Sequence, residues 1–223
     1  MAEPTPPSPL VLNQIRALPK ADRPLIVCDV DEVILHMAGH FIEFLKARDL
    51  ALITGSYKLS GNIAPAGSDT PIAQADVRRL IDSFFDEESH RQQMVEGADE
   101  ALRALHADWD IVLLTNLPGA HNKPVRERLL QGFGIPYPVV TNSGPKGGAV
   151  AALAAGRPTP LVFIDDSPVN HVSVNVSLPS AVQIQFVADE TFRTSVKAAE
   201  HIDLLTGDWE RTRDFIGGIL VSG

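Results

Sequence analysis

The architecture of this chain can be inferred from a single stretch, Leu25-Ile26-Val27-Cys28-Asp29-Val30-Asp31-Glu32-Val33. Four apolar residues follow a proline and predict a short strand that is buried on both faces. Three acidic residues then come within four positions, which a protein core does not require. Because open α/β sheets bind their ligands beyond the carboxyl ends of the strands, this stretch is a candidate functional site. Taken alone, the same pattern also suits a solvated acidic turn.

The composition is that of an ordinary globular protein. The chain has 223 residues, of which 44% are hydrophobic and 21% charged. This length accommodates one α/β domain with an insertion, or two small domains. The single cysteine, Cys28, lies in the first apolar run, where we expect it to be a small core residue. A disulfide within the chain is excluded, which favours a reducing compartment.

Charge and targeting signals narrow the possible partners. The net charge of −9 argues against a general affinity for nucleic acid or for an anionic membrane surface. No apolar run approaches the roughly 20 residues of a membrane span. Residues 1–9 contain prolines and Glu3 where a signal peptide would have a basic start and an apolar stretch. We therefore expect a cytoplasmic protein whose partner is a small molecule.

Strands and helices alternate over most of the sequence. After the first strand, buried strands are predicted at residues 111–114, 137–140 and 161–164, with an outer strand at 182–187. Helices are predicted at residues 98–106, 125–130, 147–155 and 189–205. This alternation indicates a Rossmann-like α/β fold, in which a mostly parallel sheet is covered by helices on both faces.

Residues 39–96 interrupt the alternation. Helices are predicted at residues 41–48 and 72–85, the second opened by Asp69 or Thr70 and extended by a helical stretch to residue 94. Between them, residues 51–54 and 57–59 flank Gly55-Ser56 as in a hairpin. This region has the pattern of a cap inserted over the strand ends, although an elaboration that forms no lid is the alternative.

The predicted organisation therefore has three parts. Residues 1–22 comprise a Pro-rich tail at 1–9, without a packing role, and a short helix at 10–18. Residues 23–38 and 97–223 form the α/β core. Residues 39–96 form the cap.

Polar residues end three of the predicted strands. These residues are Asp29 with Asp31, Thr115 with Asn116, and Asp165 with Asp166. In a parallel sheet all three groups emerge at one edge and converge. In addition, Gly144-Pro145-Lys146-Gly147-Gly148 places a lysine at the start of a helix, where free backbone N–H groups favour an anion. Each feature alone has an ordinary explanation, as a surface lysine or a polar turn.

In chain order, these segments resemble the four signature motifs of the haloacid dehalogenase superfamily, whose members are mostly phosphatases. The first motif is Asp29-Val30-Asp31-Glu32-Val33, the second is the strand ending at Thr115, and the third is Lys146. The fourth is Phe163-Ile164-Asp165-Asp166-Ser167-Pro168-Val169-Asn170. Each motif is weakly specific, whereas the ordered set is specific. Bacterial receiver domains use similar residues, but their acidic pair comes first and their lysine last.

An acidic cluster of this kind requires a cation. Two carboxylates 4 Å apart repel each other by about 4 kcal/mol at an effective dielectric constant near 20. No His or Cys accompanies these acids at ligand spacing, and oxygen ligands favour Mg²⁺ over zinc. The resemblance likewise implies Mg²⁺, held by Asp29, by the backbone carbonyl of Asp31 and by Asp166. Asp165 and Asn170 are then expected to orient water molecules around the ion.

The resemblance also implies a role for each residue in phosphomonoester hydrolysis. Asp29 attacks phosphorus and becomes an aspartyl-phosphate. Asp31 protonates the leaving oxygen and later deprotonates the attacking water. Thr115 and Lys146 hold the phosphoryl oxygens, with Asn116 as a possible helper. The predicted function is a Mg²⁺-dependent phosphatase acting on a small phosphorylated metabolite.

Other functions remain open at this level. Asp31 argues against dehalogenation and phosphonate cleavage, since family members with those reactions lack an acid at that position. A phosphomutase or phosphotransferase of the same superfamily would use the same first motif. A catalytically weak binding module, or a phosphoprotein phosphatase, is the third possibility, because Glu32 and the turn-rich loop 118–124 could alter the pocket. His36, His40, His121 and His171 are predicted to be loop residues without a catalytic role.

Overall fold

A computed structural model describes residues 4–19, 22–54, 59–194 and 196–221. Its strands are β1 Leu25–Cys28, β2 Leu50–Leu52, β3 Ile63–Pro65, β4 Asp110–Asn116, β5 Val139–Asn142, β6 Leu161–Asp165, β7 Val182–Phe186 and β8 Leu204–Thr206. Its helices are α1 Pro9–Arg16, α2 Ala38–Lys46, α3 Gln74–Glu87, α4 Ala98–Leu105, α5 Asn122–Gly132, α6 Gly147–Ala154, α7 Pro168–Ser177, α8 Glu190–Arg193 and α9 Trp209–Val221. Within the described ranges, no helix combines the length and the apolar character that crossing a membrane demands.

Six of the described strands form one parallel sheet in the order β5-β4-β1-β6-β7-β8. Strand β1 lies between β4 and β6, and all four of its residues are buried, as its apolar sequence predicts. From β1 the chain builds β4 and β5 on one side and β6 to β8 on the other. The carboxyl end of β1 is therefore the topological switch point, where open α/β sheets bind ligands.

Apolar side chains cover both faces of this sheet. On one face, Ile26 and Cys28 join a core cluster that includes residues of α4, α5 and α9. On the other face, Leu25 and Val27 join residues of α1, α6 and α7. The alternate direction of successive strand side chains explains this division. The predicted Rossmann-like α/β architecture is confirmed.

Helices α2 and α3 and the hairpin β2–β3 lie outside the six-stranded sheet. They share a separate hydrophobic cluster in which Phe84 makes edge-to-face contacts with Phe41, Phe44 and Phe85. Leu117, which follows β4, also belongs to this cluster. The region predicted as a cap thus has its own small core, which contacts the main domain near the end of β4.

Three local predictions in this region differ from the structure. Helix α3 begins at Gln74 rather than at about Ile72, because the Ile72 N–H donates to the Ile63 carbonyl and holds this residue alongside β3. The hairpin pairs β2 with β3, and Leu59 lies outside both strands. The predicted strand residues 57 and 58 lie outside the described residues. The helical stretch predicted to residue 94 is only a 3₁₀ turn at Ser89–Arg91.

The C-terminal part also differs from the prediction. Among the described residues of the predicted helix 189–205, only Glu190–Arg193 is helical, as α8, and Leu204–Thr206 forms β8. Because β8 pairs with β7, the strand predicted to be outermost is covered by another strand. The Asp203 carboxylate accepts the Gln183 N–H at 2.7 Å and fixes the start of this pairing.

The predicted helix α1 packs on the core through one residue of its apolar face. Ser8 caps the helix by accepting the Val11 N–H, and Val11 is buried in the core. The Gln14 side chain donates to the Thr141 carbonyl and accepts its N–H, both at 3.0 Å, at the end of β5. The predicted helix is therefore anchored to the sheet.

The prediction that the N-terminal tail has no packing role is wrong for residues 5–7. A Cβ atom on Gly148 would lie 2.0 Å from the Thr5 carbonyl oxygen and 2.9 Å from Pro7. Since only glycine leaves room for this approach, the tail lies directly against helix α6.

We expect Gly148→Ala to lower the free energy of unfolding by about 1–3 kcal/mol, because the added methyl group overlaps the tail backbone. Urea denaturation measures this change. Deleting residues 1–7 should remove the penalty. Gly217→Ala is the control, because a Cβ there meets nothing within 4 Å, and it should not destabilise the protein. A full penalty in the truncated chain would contradict tail packing.

Candidate active site

The sequence-predicted site residues come together at the carboxyl ends of the three central strands. Asp29 directly follows β1, Thr115 and Asn116 end β4, and Asp165 ends β6. The Asp29 N–H donates to the Ile164 carbonyl at 2.8 Å, which continues the β1–β6 pairing to the catalytic candidate. Parallel pairing therefore produces the convergence that the sequence predicts.

Lys146 joins the first and fourth motifs. Its Nζ lies 2.7 Å from Asp29 Oδ1 and 2.7 Å from Asp165 Oδ2, and its side chain is fully buried. The lysine occupies the N-cap position of α6. The helix starts there because Gly147 packs against α7, where a Cβ would lie 2.1 Å from the Ser173 carbonyl oxygen. A close contact between helices α6 and α7 thus positions the Lys146 ammonium group.

The oxygens of Asp29 differ in their surroundings. Oδ1 accepts hydrogen bonds from the Val30 N–H and from Lys146, both at 2.7 Å. Within the described residues, Oδ2 has no hydrogen-bond donor. The aspartate is therefore fixed through one oxygen, while the other is available to a metal ion or to phosphorus.

The two acids of the fourth motif also differ. Asp165 Oδ1 accepts from the Ser167 N–H and the Asn170 amide, and Oδ2 accepts from Lys146. Asp166 is partly exposed, and no donor among the described residues contacts its carboxylate. This arrangement suits Asp165 and Asn170 for orienting the site and leaves Asp166 free to bind an ion.

The charge of the cluster favours a divalent cation. Asp29, Asp165 and Asp166 place carboxylate oxygens within 4.8 Å of one another, and Lys146 supplies one compensating positive charge. Burial, reinforced by Asp165 and Asp31 against the opposing effect of Lys146, raises the pKa of Asp29 to about 7. Burial and the two other carboxylates also raise the pKa of Asp166. Burial alone would lower the pKa of Lys146, but both carboxylates together raise it.

The residues present fit Mg²⁺. The cluster contains oxygen ligands only, and its three carboxylates exceed its one ammonium group by two charges. Mg²⁺ is commonly bound by one or two carboxylates together with water and substrate phosphate. Asp29 and Asp166, which have uncommitted oxygens, are the two carboxylates that meet this description.

Asp31 is held by two residues that the sequence did not reveal. Arg126 Nη2 lies 3.0 Å from Asp31 Oδ1, and the Gln92 amide donates to the same oxygen at 2.9 Å. Arg126 is on α5 and is almost completely buried, while Gln92 follows the 3₁₀ turn. No local pattern distinguishes these two from other polar residues, because their distances from Asp31 in the chain are 95 and 61 residues.

Thr115 and Asn116 have different environments. Thr115 is fully buried at the end of β4, and its hydroxyl lies 3.5 Å from Asp31 Oδ2. The Asn116 amide donates to the Gly144 carbonyl at 3.0 Å and accepts from Asn142 at 2.9 Å. Asn116 therefore holds the loop that leads to Lys146, and this contact uses one of its two amide N–H groups.

Glu32, the additional acid of the first motif, stabilises the junction between the core and residues 39–96. Its Oε2 accepts the N–H groups of Met37 and Ala38 at the start of α2, at 3.0 and 2.8 Å. Its Oε1 accepts the Asp189 N–H at 2.9 Å. The residue has a φ of 62°, in the left-handed region that favours glycine. These bonds offset the backbone strain, so the carboxylate has a structural function.

The histidines do not join the carboxylate cluster. His171 is buried in α7, between the Gln183 side chain and the Asp165 carbonyl at 2.9 Å each, so the prediction of a loop position is wrong for it. It is also wrong for His40, which lies in α2 beside Glu88. His121 contacts Asp86 of α3 at 2.7 Å.

A cavity of about 490 Å³ opens above the cluster. Asp29, Asp31, Thr115 and Asp166 line its floor. Its walls come from α2, α3 and the segments around the hairpin. The volume is within the range of small-molecule sites.

Several solved structures with the same architecture are haloacid dehalogenase-like proteins. No protein-family model and no curated protein sequence matches this chain. A family hydrolase from Deinococcus radiodurans with bound phosphate and sodium aligns at 16% identity and a TM-score of 0.57, over 89% of this chain and 97% of that one. A hydrolase of this type from Bacillus subtilis, bound to magnesium, aligns at 10% identity and 0.54, over 88% and 99%. A candidate β-phosphoglucomutase from Bacteroides vulgatus aligns at 11% and 0.53, over 93% and 96%.

The chain has the haloacid dehalogenase fold. The resemblance drawn from the four motifs is therefore confirmed at the level of the fold. The comparison covers residues outside the six-stranded sheet as well, since nearly nine-tenths or more of this chain aligns. At identities of 16% or less, the comparison shows the haloacid dehalogenase fold, and the reaction has to be inferred from the site.

Binding of Mg²⁺ to this haloacid dehalogenase core should weaken in acid. Because the metal-free pKa of Asp29 is about 7, the carboxylate must lose a proton to bind the ion below that pH. At pH 5.5 we expect an apparent affinity about 30-fold lower than at pH 8. Titration calorimetry at the two pH values measures the ratio.

Stability provides a second readout of the same ionisation. The raised pKa means that ionising Asp29 costs more in the folded than in the unfolded chain, so this group lowers metal-free stability as pH rises from about 4 to 7. Added Mg²⁺ should consequently raise the melting temperature more at pH 8 than at pH 5.5. Asp166→Asn should remove most of the Mg²⁺ response, and equal Mg²⁺ affinities at both pH values would contradict the assignment.

Replacing Glu32 should destabilise the protein. In Glu32→Gln the amide presents donors to backbone N–H groups, so we expect the free energy of unfolding to fall by about 2 kcal/mol or more. Glu43→Gln on the exposed surface of α2 is the control and should change stability little, since Glu43 forms only a surface ion pair with Lys46. Equal stability of the two variants, measured by urea denaturation, would exclude the structural role.

Proposed function

We propose that this protein belongs to the haloacid dehalogenase superfamily and is a Mg²⁺-dependent phosphatase that hydrolyses a small phosphomonoester. One observation carries the proposal. Lys146 bridges Asp29 and Asp165, and carboxylate oxygens of Asp29, Asp165 and Asp166 lie within 4.8 Å of one another. A nucleophile, a cation and a pair of metal ligands are then adjacent, as phosphoryl transfer requires.

The metal would be held by Asp29, Asp166 and the backbone carbonyl of Asp31. When bound, Mg²⁺ supplies positive charge that reduces the repulsion between an anionic nucleophile and an anionic ester. Asp165 and Asn170 keep Lys146 and the fourth-motif loop in place through their mutual hydrogen bonds. The magnesium in the Bacillus subtilis protein supports this choice of ion.

In the first step, the free oxygen of Asp29 forms a bond to phosphorus while the ester P–O bond breaks. The product is an aspartyl-phosphate, and the leaving alkoxide receives a proton from Asp31. Two of the three Lys146 N–H donors contact carboxylates, which leaves the third for a phosphoryl oxygen. The Thr115 hydroxyl, at the end of β4, provides a further donor.

In the second step, a water molecule attacks phosphorus and gives a proton to Asp31. The bond between phosphorus and Asp29 breaks, releasing inorganic phosphate and restoring both acids. Arg126 and Gln92 orient Asp31, since both contact its Oδ1.

Residues 39–96 act as the cap in this proposal. They supply the walls of the cavity above Asp29, whereas the core supplies its floor. The cap therefore excludes water from the reacting groups and selects the substrate.

A phosphomutase is the second candidate, supported by the alignment with the candidate β-phosphoglucomutase. The first step would be identical, but the phosphoryl group would pass to a second hydroxyl instead of water. Products separate the two. Phosphate released in equal amount to the ester consumed indicates hydrolysis, while ester isomerised without free phosphate indicates a mutase.

Asp29→Asn should abolish turnover of a phosphomonoester while preserving the fold. An amide is a poor nucleophile, so we expect kcat to fall on the order of 10⁴-fold or more. The melting temperature should not decrease, because one of the clustered buried charges is removed. Phosphate release and thermal denaturation measure the two effects.

The matched control is Asp108→Asn, which changes an exposed turn residue remote from the site. This variant should retain wild-type kcat and kcat/KM. Excess chelator should inhibit the wild type, and Mg²⁺ should restore it. Wild-type activity in Asp29→Asn would refute the covalent mechanism.

A further inference from the structure

We infer that the substrate is a phosphomonoester of an apolar alcohol that carries no second charged group. The inference rests on the proposed function, since it assumes that the phosphoryl group binds at Asp29. With that end fixed, the alcohol portion of the ester must occupy the rest of the cavity. The character of the walls then defines its chemistry.

The walls above the carboxylate floor are apolar. Six residues from the cap region surround this space, namely Phe41, Ile42, Leu52, Leu59, Ile81 and Phe85. They lie on α2, around the hairpin and on α3, so they enclose the space from several directions. An apolar group in this position loses its contact with water and gains contact with these side chains.

The described residues that line the cavity offer no cationic partner for a second anion. Among the described residues that line it, none is Lys, Arg or His, and the charged ones are all acidic. Lys146 and Arg126 are buried nearby. Lys146 contacts Asp29 and Asp165 and has its third donor assigned to the phosphoryl group, and Arg126 contacts Asp31. Among the described residues, a carboxylate or second phosphate on the substrate would therefore meet negative charge without compensation.

Three of the polar side chains around the cavity are held by other contacts. Both Glu32 oxygens accept backbone N–H groups, and the Asn116 amide holds the Gly144 loop. The Asn170 amide donates to Asp165. Away from the floor, the hydroxyl groups of a sugar would face the six apolar side chains of the cap region, which disfavours a sugar phosphate.

Two pairs of primary phosphate esters test the inference without changing the leaving-group chemistry. Cyclohexylmethyl phosphate and glucose 6-phosphate both carry a six-membered ring, which bears hydroxyl groups only in glucose 6-phosphate. Hexyl phosphate and 6-phosphohexanoate differ by a terminal carboxylate. We expect kcat/KM for the apolar member of each pair to be at least about 100-fold higher. Equal or better turnover of the polar member of either pair would overturn the inference.

A charge placed in the wall provides a converse test. Ile81→Lys adds a cation to the cavity, and it should raise the ratio of kcat/KM for 6-phosphohexanoate to that for hexyl phosphate by about tenfold or more. Asp82→Asn is the control, because it gives the same change in net charge at an exposed neighbouring position. An unchanged ratio in a folded Ile81→Lys variant would contradict the assignment of this wall. If that variant fails to fold, the wild-type ester pairs decide.

Binding separates failure of this inference from failure of the proposed reaction. Calorimetry with the Asp29→Asn variant and Mg²⁺ measures the affinity for each ester without turnover. Tighter binding of the apolar esters, with no phosphate released by the wild type, would retain the apolar site and reject the phosphatase. Turnover of all four esters at similar rates would retain the phosphatase and reject the apolar site. Neither binding nor turnover of any ester would reject both.

Discussion

The ion pair that Lys146 forms with Asp29 and Asp165 is the interaction on which the whole site depends. A fully buried ammonium is costly unless carboxylates surround it, and here one comes from each of two neighbouring strands. The contact fixes the ends of β1 and β6 relative to the start of α6. It also leaves the carboxylate cluster with excess negative charge, which is the physical reason that a divalent cation fits.

Around this ion pair, the acids divide into those that are held and those that are free. Three acids each accept hydrogen bonds through both carboxylate oxygens and maintain the shape of the site, namely Asp165, Asp31 and Glu32. Asp29 and Asp166 retain free oxygens at the floor of the cavity. Fixed surroundings with few free groups are what catalysis by preorganised charge requires. The apolar walls above then restrict which ester can approach.

Most of the core could be predicted from the sequence because its strands are uniformly apolar and end in polar residues. Parallel pairing brings such ends together, so Asp29, Thr115 and Asp165 were predictable as neighbours. Arg126 and Gln92 were not, since their contact with Asp31 depends on how α5 and the 3₁₀ turn pack. The edge strand β8 was missed for a similar reason. Its pairing with β7 depends on distant hydrogen bonds, including that of Asp203 with the Gln183 N–H, and not on its own pattern.

The most direct test is a crystal structure with Mg²⁺ and beryllium trifluoride, which mimics a phosphoryl group on an aspartate. The account predicts that the beryllium trifluoride group is attached to Asp29 and contacts Lys146 and Thr115. The ion should be bound by Asp29, Asp166 and the Asp31 carbonyl. A metal ion bound away from Asp166, or a beryllium trifluoride group on any other acid, would contradict the proposed site.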